Sequence, residues 1–496
     1  MVELPKLRAL IEKLVEKIQE LTKREKELTK REKELKGQLD ELRKKYDEVV
    51  EKNSKNSSLP PSRDGNSKPN TNKPNPKPAG RKKTKKRLSG GQKGHKGARL
   101  EPVCHPDRVV EHTLDSTEDG RKIPSSWFVE WEERQVTDIE PIVTLITAHR
   151  RAVYRDPKSE EEYKAPYPDE AKAPVNYGSR IKTMAAALTY ICYVPVKKTA
   201  GFIQEVCKVP MSEGTVSNIK KSTANHLEGF EKEAVEKLTK ADRLHSDETG
   251  FRVKTDSYWC HVYASDLVTQ FFMHKKRGSE AMEEIGILPD YRGNLVVDFL
   301  ASYRKIAIHA DIYFCNPHLV RDLRGVAEQA GQTWPEELIE LLYDGLDKVR
   351  DTGEALSKKE YNEWRRKFDQ LLERGSELNP EPPDPPPGTK KKRGRRKRTK
   401  ARNLINRLLE HSEGYLGFLT DMRVPFSNND AERPLRMMKV QQKVSGCFRT
   451  VEGSKEFARV RGYLETLRKN GRNLFLGLQD AIEGNVPKLS SIIAGS

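Results

Sequence analysis

The chain has 496 residues, enough for about three domains, with 33% charged residues and a net charge of +18. Its longest apolar run, "MAAALTYICYV" (184–194), is too short to span a bilayer, and the charged N-terminus shows no secretory signal. Six scattered cysteines, none in a CxxC pair, argue against a disulfide scaffold and for a reducing, cytoplasmic setting.

The positive charge is uneven. Residues 53–99 carry 14 Lys/Arg against the single Asp64, and residues 390–402 carry 10 with no acid. Two such tracts suit a polyanion, most simply DNA, and association with the nucleoid.

Residues 1–50 carry a heptad pattern: Leu7, Leu14, Leu21, Leu28, Leu35, Leu42 and Val49 recur every seventh position. This predicts a coiled coil roughly 65 Å long and self-association into a homo-oligomer. Residues 51–99 are rich in Pro, Gly, Asn, Ser and Lys and predict a disordered basic linker. Residues 100–177 read as a mixed, strand-rich module. Residues 178–242 read as helical, and "TAGFIQEVCKVPMSEGTVSNIKKS" has the form of two helices about a turn, the second capped by Ser212. In a helix-turn-helix the second helix would offer Ser217, Asn218, Lys220 and Lys221 to DNA.

From 243 the pattern alternates. "RLHSDETGFRV", "SYWCHVYASD" and "VTQFFMHKK" predict an antiparallel meander, followed by a helix at "GSEAMEEIGIL". "GNLVVDFLASY" (293–303) reads as a buried strand containing Asp298, and "KIAIHADIYF" as a further strand. Helices follow to about 378, then a Pro-rich break, the basic tract, and helices again from 401. This order predicts an α/β (α+β) fold with an RNase H-like catalytic core over 243–330 and 401–450. A helical insertion occupies 331–400, and a C-terminal helical region 451–496.

An ionised carboxylate in an apolar strand is costly unless it faces a cation. In an RNase H-like sheet, carboxylates come from the first strand, the fourth strand and a later helix. Here these are Asp247, Asp298 and Glu432, the last in a helix opened by capping residues Ser427 to Asp430. Such a triad suits two Mg2+ ions, with Mn2+ as a substitute, and phosphoryl transfer. Arg436 and Lys439 follow Glu432 at i+4 and i+7, placed to bind phosphates. Arg393-Gly394-Arg395 lacks the prolines of an AT-hook and predicts phosphate contacts without sequence preference.

"NSKNSSLPPSRD", "GGQKGHKG", "DETGFRV", "CNPHLVRDL", "RVPFSNNDAERPLR" and "KVSGCFRT…GYLETLRKNG" together resemble the transposases of the insertion sequence 66 family, over nearly the whole chain. The resemblance implies a DDE-type RNase H-like core in which Asp247, Asp298 and Glu432 bind two Mg2+ ions. It also implies binding of the element's ends, strand cleavage by water and attack of the 3′-OH on target DNA, with accessory transposition proteins as further partners. A catalytically inactive or repurposed DNA-binding scaffold, and an RNase H-like nuclease without strand transfer, are the alternatives.

One departure stands out. Family members commonly carry a cysteine-based zinc module where residues 100–177 stand, but this stretch holds only Cys104, with His105, His112 and His149. Four zinc ligands at suitable spacing are missing, so a metal-free remnant is expected and no zinc. Cys315 and His318 are spaced as half a zinc site with no second half following. They read as packing groups, with Arg321 contacting DNA or a carboxylate.

Overall fold

The computed structural model describes residues 102–494, apart from 117, 139–141, 169–170, 172 and 383–397. The coiled coil, the basic linker, and Arg393 and Arg395 lie outside the described residues. The chain divides into two compact units, Met1–Thr137 and Asp138–Ser496.

In the described part of the first unit, regular structure amounts to a 3-10 turn at Ser125–Trp127 and a single bridge between Ser116 and Lys122. The strand-rich module expected over 100–177 is not what forms. Among its described residues only two strands occur, β1 (Val153–Arg155) and β2 (Glu162–Lys164), paired antiparallel and fully exposed. β-branched residues of this stretch such as Val129, Val136 and Val143 are solvent-exposed, so they have no core to face.

The second unit holds this β1–β2 pair and then four helices: α1 (Ser179–Tyr190), α2 (Val196–Cys207), α3 (Glu213–His226) and α4 (Glu228–Thr239). Lys208 ends α2 in the left-handed region, and Ser212 caps α3 by accepting the N–H of Thr215, as the sequence predicts. Next come β3 (Arg243–Val253), β4 (Asp256–Ala264) and β5 (Thr269–His274), the expected meander, then α5 (Ser279–Ile285). β6 is only Asn294–Val297, so Asp298 stands just past the strand rather than within it. The reason is local: its Oδ1 accepts the N–H of Leu300 at 3.0 Å and turns the chain into α6 (Ala301–Ile306). That helix also takes the first residues of "KIAIHADIYF", and β7 is confined to Asp311–Phe314.

The mixed sheet runs in the order β5-β4-β3-β6-β7, with β6 parallel to both β3 and β7. Three helices follow, α7 (Asn316–Ala330), α8 (Trp334–Thr352) and α9 (Lys358–Leu378). Gly331 and Gly353 separate them at φ +63 and +69, a region where glycine is unstrained. After α10 (Lys400–Leu416), α11 (Asn429–Ser445) packs on β3 and α12 (Val451–Lys469) on β5. α13 (Leu474–Glu483) and α14 (Leu489–Ile493) return to the first helices. One continuous apolar core joins these helices to the sheet.

Candidate active site

β3 and β6 pair only from Arg243 to His245 against Asn294 to Val296. Beyond that point β3 runs on to Val253 paired with β4 but no longer with β6, and the end of β6 leaves a notch on that side. Three carboxylates meet there. Asp247, Glu248 and Asp298 each bring an oxygen within 4.8 Å of the others.

Their surroundings are dry and crowded with like charge. Burial holds the Asp247 carboxyl well above the usual range, and the neighbouring Glu248 and Asp298 add to the effect. The same causes, burial first and Asp298 second, raise Glu248. Glu248 is nonetheless gripped: Tyr303 donates its hydroxyl to Oε2 at 2.5 Å, and Arg277 donates from Nε to Oε1 at 2.8 Å. Arg277 in turn lies over the Trp259 ring. A cavity of about 280 Å3 opens beside this cluster, lined among others by Arg277, Asp298, Cys315, His318 and Arg407.

Glu432 does not share an ion-sized cluster with the two aspartates. Its Oε1 lies 3.5 Å from the Cys315 sulfur and 3.6 Å from His318 Nδ1, yet its charge still raises Asp247. Burial, with Glu432 beside it, pushes the Cys315 thiol up to about 12. The helix bearing Glu432 is fastened to the free edge of β3. Asn428 donates to the Ser246 carbonyl at 2.8 Å, Lys439 donates to the Gly250 carbonyl, and Phe448 exchanges backbone hydrogen bonds with Arg252 and Lys254. Asn428 is the N-cap, but it makes no side-chain cap; its Oδ1 meets His245 instead, at 2.9 Å. The capping role read into Ser427 to Asp430 thus gives way to a tie between helix and sheet.

Residues 174–456 match the model of the family described as "Transposase IS66 family", which spans both the sheet and Glu432. The chain belongs to this family of transposases. Residues 2–101 match a family of unknown function (DUF6444), and none of the curated proteins matches the chain.

The side chains this transposase was expected to offer to DNA are placed unequally. Ser217, Asn218 and Lys221 are exposed on α3, although the Ser217 hydroxyl donates to the Glu213 carbonyl. Lys220 turns inward, its ammonium 5.6 Å from the centre of the Tyr190 ring, and burial lowers its pKa. Arg321 and Arg436 are exposed, whereas Lys439 is half-buried and committed to Gly250. Sequence reasoning missed Glu248, Tyr303 and Arg277, and read Asn428 only as a cap. The only signal was the doubled acid in "HSDETGF", which strand alternation assigns to opposite faces.

Proposed function

We propose that the chain binds the ends of a mobile DNA element, cleaves them and joins the 3′-OH ends to target DNA, using an RNase H-like core. The carrying observation is the convergence of Asp247, Glu248 and Asp298 in a desolvated notch within reach of Glu432's charge. A sheet with a long first strand at its centre, antiparallel to β4 on one side and parallel to β6 and then β7 on the other, supports the same reading.

The donor set fits a hard divalent cation. All of its ligand atoms are carboxylate oxygens, and a bound cation would relieve the mutual repulsion that otherwise favours protonation. Asp247 and Asp298, with Glu432 from α11, would hold two Mg2+ or Mn2+ ions, which supply activation of the attacking oxygen and neutralisation of the phosphate charge. The chain's own groups position the site. Leu300 N–H fixes one oxygen of Asp298, and the Tyr303–Glu248–Arg277 chain holds Glu248 beside it. Arg321 and Arg436, both exposed, would contact DNA phosphates; Ser217, Asn218 and Lys221 form the face of α3 that would meet the element's ends. The basic tracts would add salt-sensitive, sequence-independent affinity.

The test is strand cleavage and joining on linear DNA carrying the element's own ends, with Mg2+ supplied. Wild type should perform both steps, and Asp298→Asn should bind the ends normally while losing both. Retained cleavage in Asp298→Asn overturns the assignment.

A further inference from the structure

Donors of a different chemical kind meet where α7 and α11 begin. Cys315 is the N-cap of α7, His318 lies within its first turn, and Glu432 lies in the first turn of α11. The Cys315 sulfur is 3.5 Å from Glu432 Oε1, His318 Nδ1 is 3.6 Å from the same oxygen, and all three donor atoms lie within 4.8 Å of one another. With zinc–sulfur bonds of about 2.3 Å and zinc–nitrogen or –oxygen bonds of about 2.0 Å, two ligands of one tetrahedral ion stand about 3.3–3.5 Å apart. The two separations to Glu432 are therefore close to those of a formed site, and the third pair lies within 4.8 Å.

Two further details favour a ligand there. His318 Nδ1 is shielded from solvent and has no hydrogen-bond partner among the described residues. The Cys315 sulfur accepts the backbone N–H of Asn428 at 3.3 Å, the type of outer contact that steadies a metal-bound thiolate. The cavity that touches Cys315 and His318 supplies an entry path.

We propose that Cys315, His318 and Glu432 form a site for a thiophilic divalent cation such as Zn2+, its fourth position open to the cleft. Sulfur and imidazole donors select against Mg2+, which takes oxygen ligands. The sequence shows only half of this site because its third ligand comes from a distant helix. Resting on the proposed function, one consequence follows. An ion held here fixes Glu432 on the Cys315 side and withholds it from Asp247 and Asp298, so Zn2+ antagonises the Mg2+-dependent reaction.

The experiment uses the full chain, stripped of metal and titrated with Co2+ as a visible stand-in for Zn2+. A thiolate-to-cobalt absorption band at one equivalent, displaced by Zn2+, is expected. Cys315→Ser should abolish the band and His318→Gln should weaken binding at least tenfold, while Asp247→Asn leaves it intact. Cys104, Cys192 and Cys447 are exposed, so their triple serine variant should keep the band. A band that survives Cys315→Ser, or is lost with the three exposed cysteines, overturns the site. Should Cys315→Ser fail to fold, His318→Gln decides, because its side chain is 37% exposed and its Nδ1 carries no hydrogen bond. The two readings fail separately: a cobalt band in a chain that never joins DNA sinks the proposed function alone. Joining activity without the band sinks this site alone.

Discussion

Tyr303 donates its hydroxyl to Glu248 at 2.5 Å with both groups buried, so a phenol in α6 holds a carboxylate in β3. Tyr303→Phe removes that donor and leaves a buried oxygen short of a partner, at a cost of about 1–3 kcal/mol in urea denaturation. Adding Glu248→Gln removes the charge as well, so the double variant should cost less than the sum of the single changes. Strict additivity would show that the two groups are not coupled.

Asp247 is half-buried among like charges, and the near-isosteric Asp247→Asn relieves that repulsion. In EDTA the variant should melt at or above the wild-type temperature. Mg2+ should raise the wild-type melting point by mass action, equivalent to about 2.7 kcal/mol at a hundredfold excess over Kd, and leave the variant unmoved. Equal responses to Mg2+ would remove Asp247 from the ion site.

How much of this was legible in the sequence depends on distance along the chain. Alternation marked β3, β4 and β5, and the apolar neighbours of Asp298 marked a carboxylate of unusual setting. Periodicity could not reveal what arrives from afar. Lys220 lies over Phe457 of α12 as well as Tyr190, and Lys439 meets β3, so two cations that look outward on their own helices are covered. Glu248 escaped because only the end of β6 lets adjacent residues on opposite faces of a strand share one notch.

His261, fully buried in β4, has its pKa lowered from 6.5 to about 4, chiefly by burial. Above about pH 6.5 the imidazole is neutral in folded and unfolded chains alike. Between 6.5 and about 4 the unfolded chain takes up a proton that the folded one refuses, so stability falls as pH falls, by on the order of 3 kcal/mol in all. Below that window the contribution is constant. His261→Gln should flatten the dependence of the urea midpoint on pH across this window; an unchanged slope would refute the assignment.

Two glycines should respond oppositely to alanine. At Gly414 in α10 a Cβ would stand 2.7 Å from the Phe314 ring and 2.9 Å from the Ile312 carbonyl, where backbone cannot yield. Gly414→Ala should destabilise by about 1–3 kcal/mol. At Gly201, exposed in α2, a Cβ meets nothing within 4 Å, and Gly201→Ala should stabilise by about 0.5–1 kcal/mol. Thermal melts of the pair give the comparison.

The fastening of α11 along β3 has a consequence for how the protein can be controlled. A strand that outruns its neighbour normally leaves bare carbonyls able to recruit a foreign strand and seed aggregation. Here Asn428, Lys439 and Phe448 occupy them, so the helix and the residues flanking it serve as a surrogate strand. Peeling it away would leave the Ser246, Gly250 and Arg252 carbonyls without these donors, a cost of about 1–3 kcal/mol for each that stays buried. Switching the protein off by unlatching that helix is therefore an expensive route, and restraint is cheaper to impose through what enters the cleft.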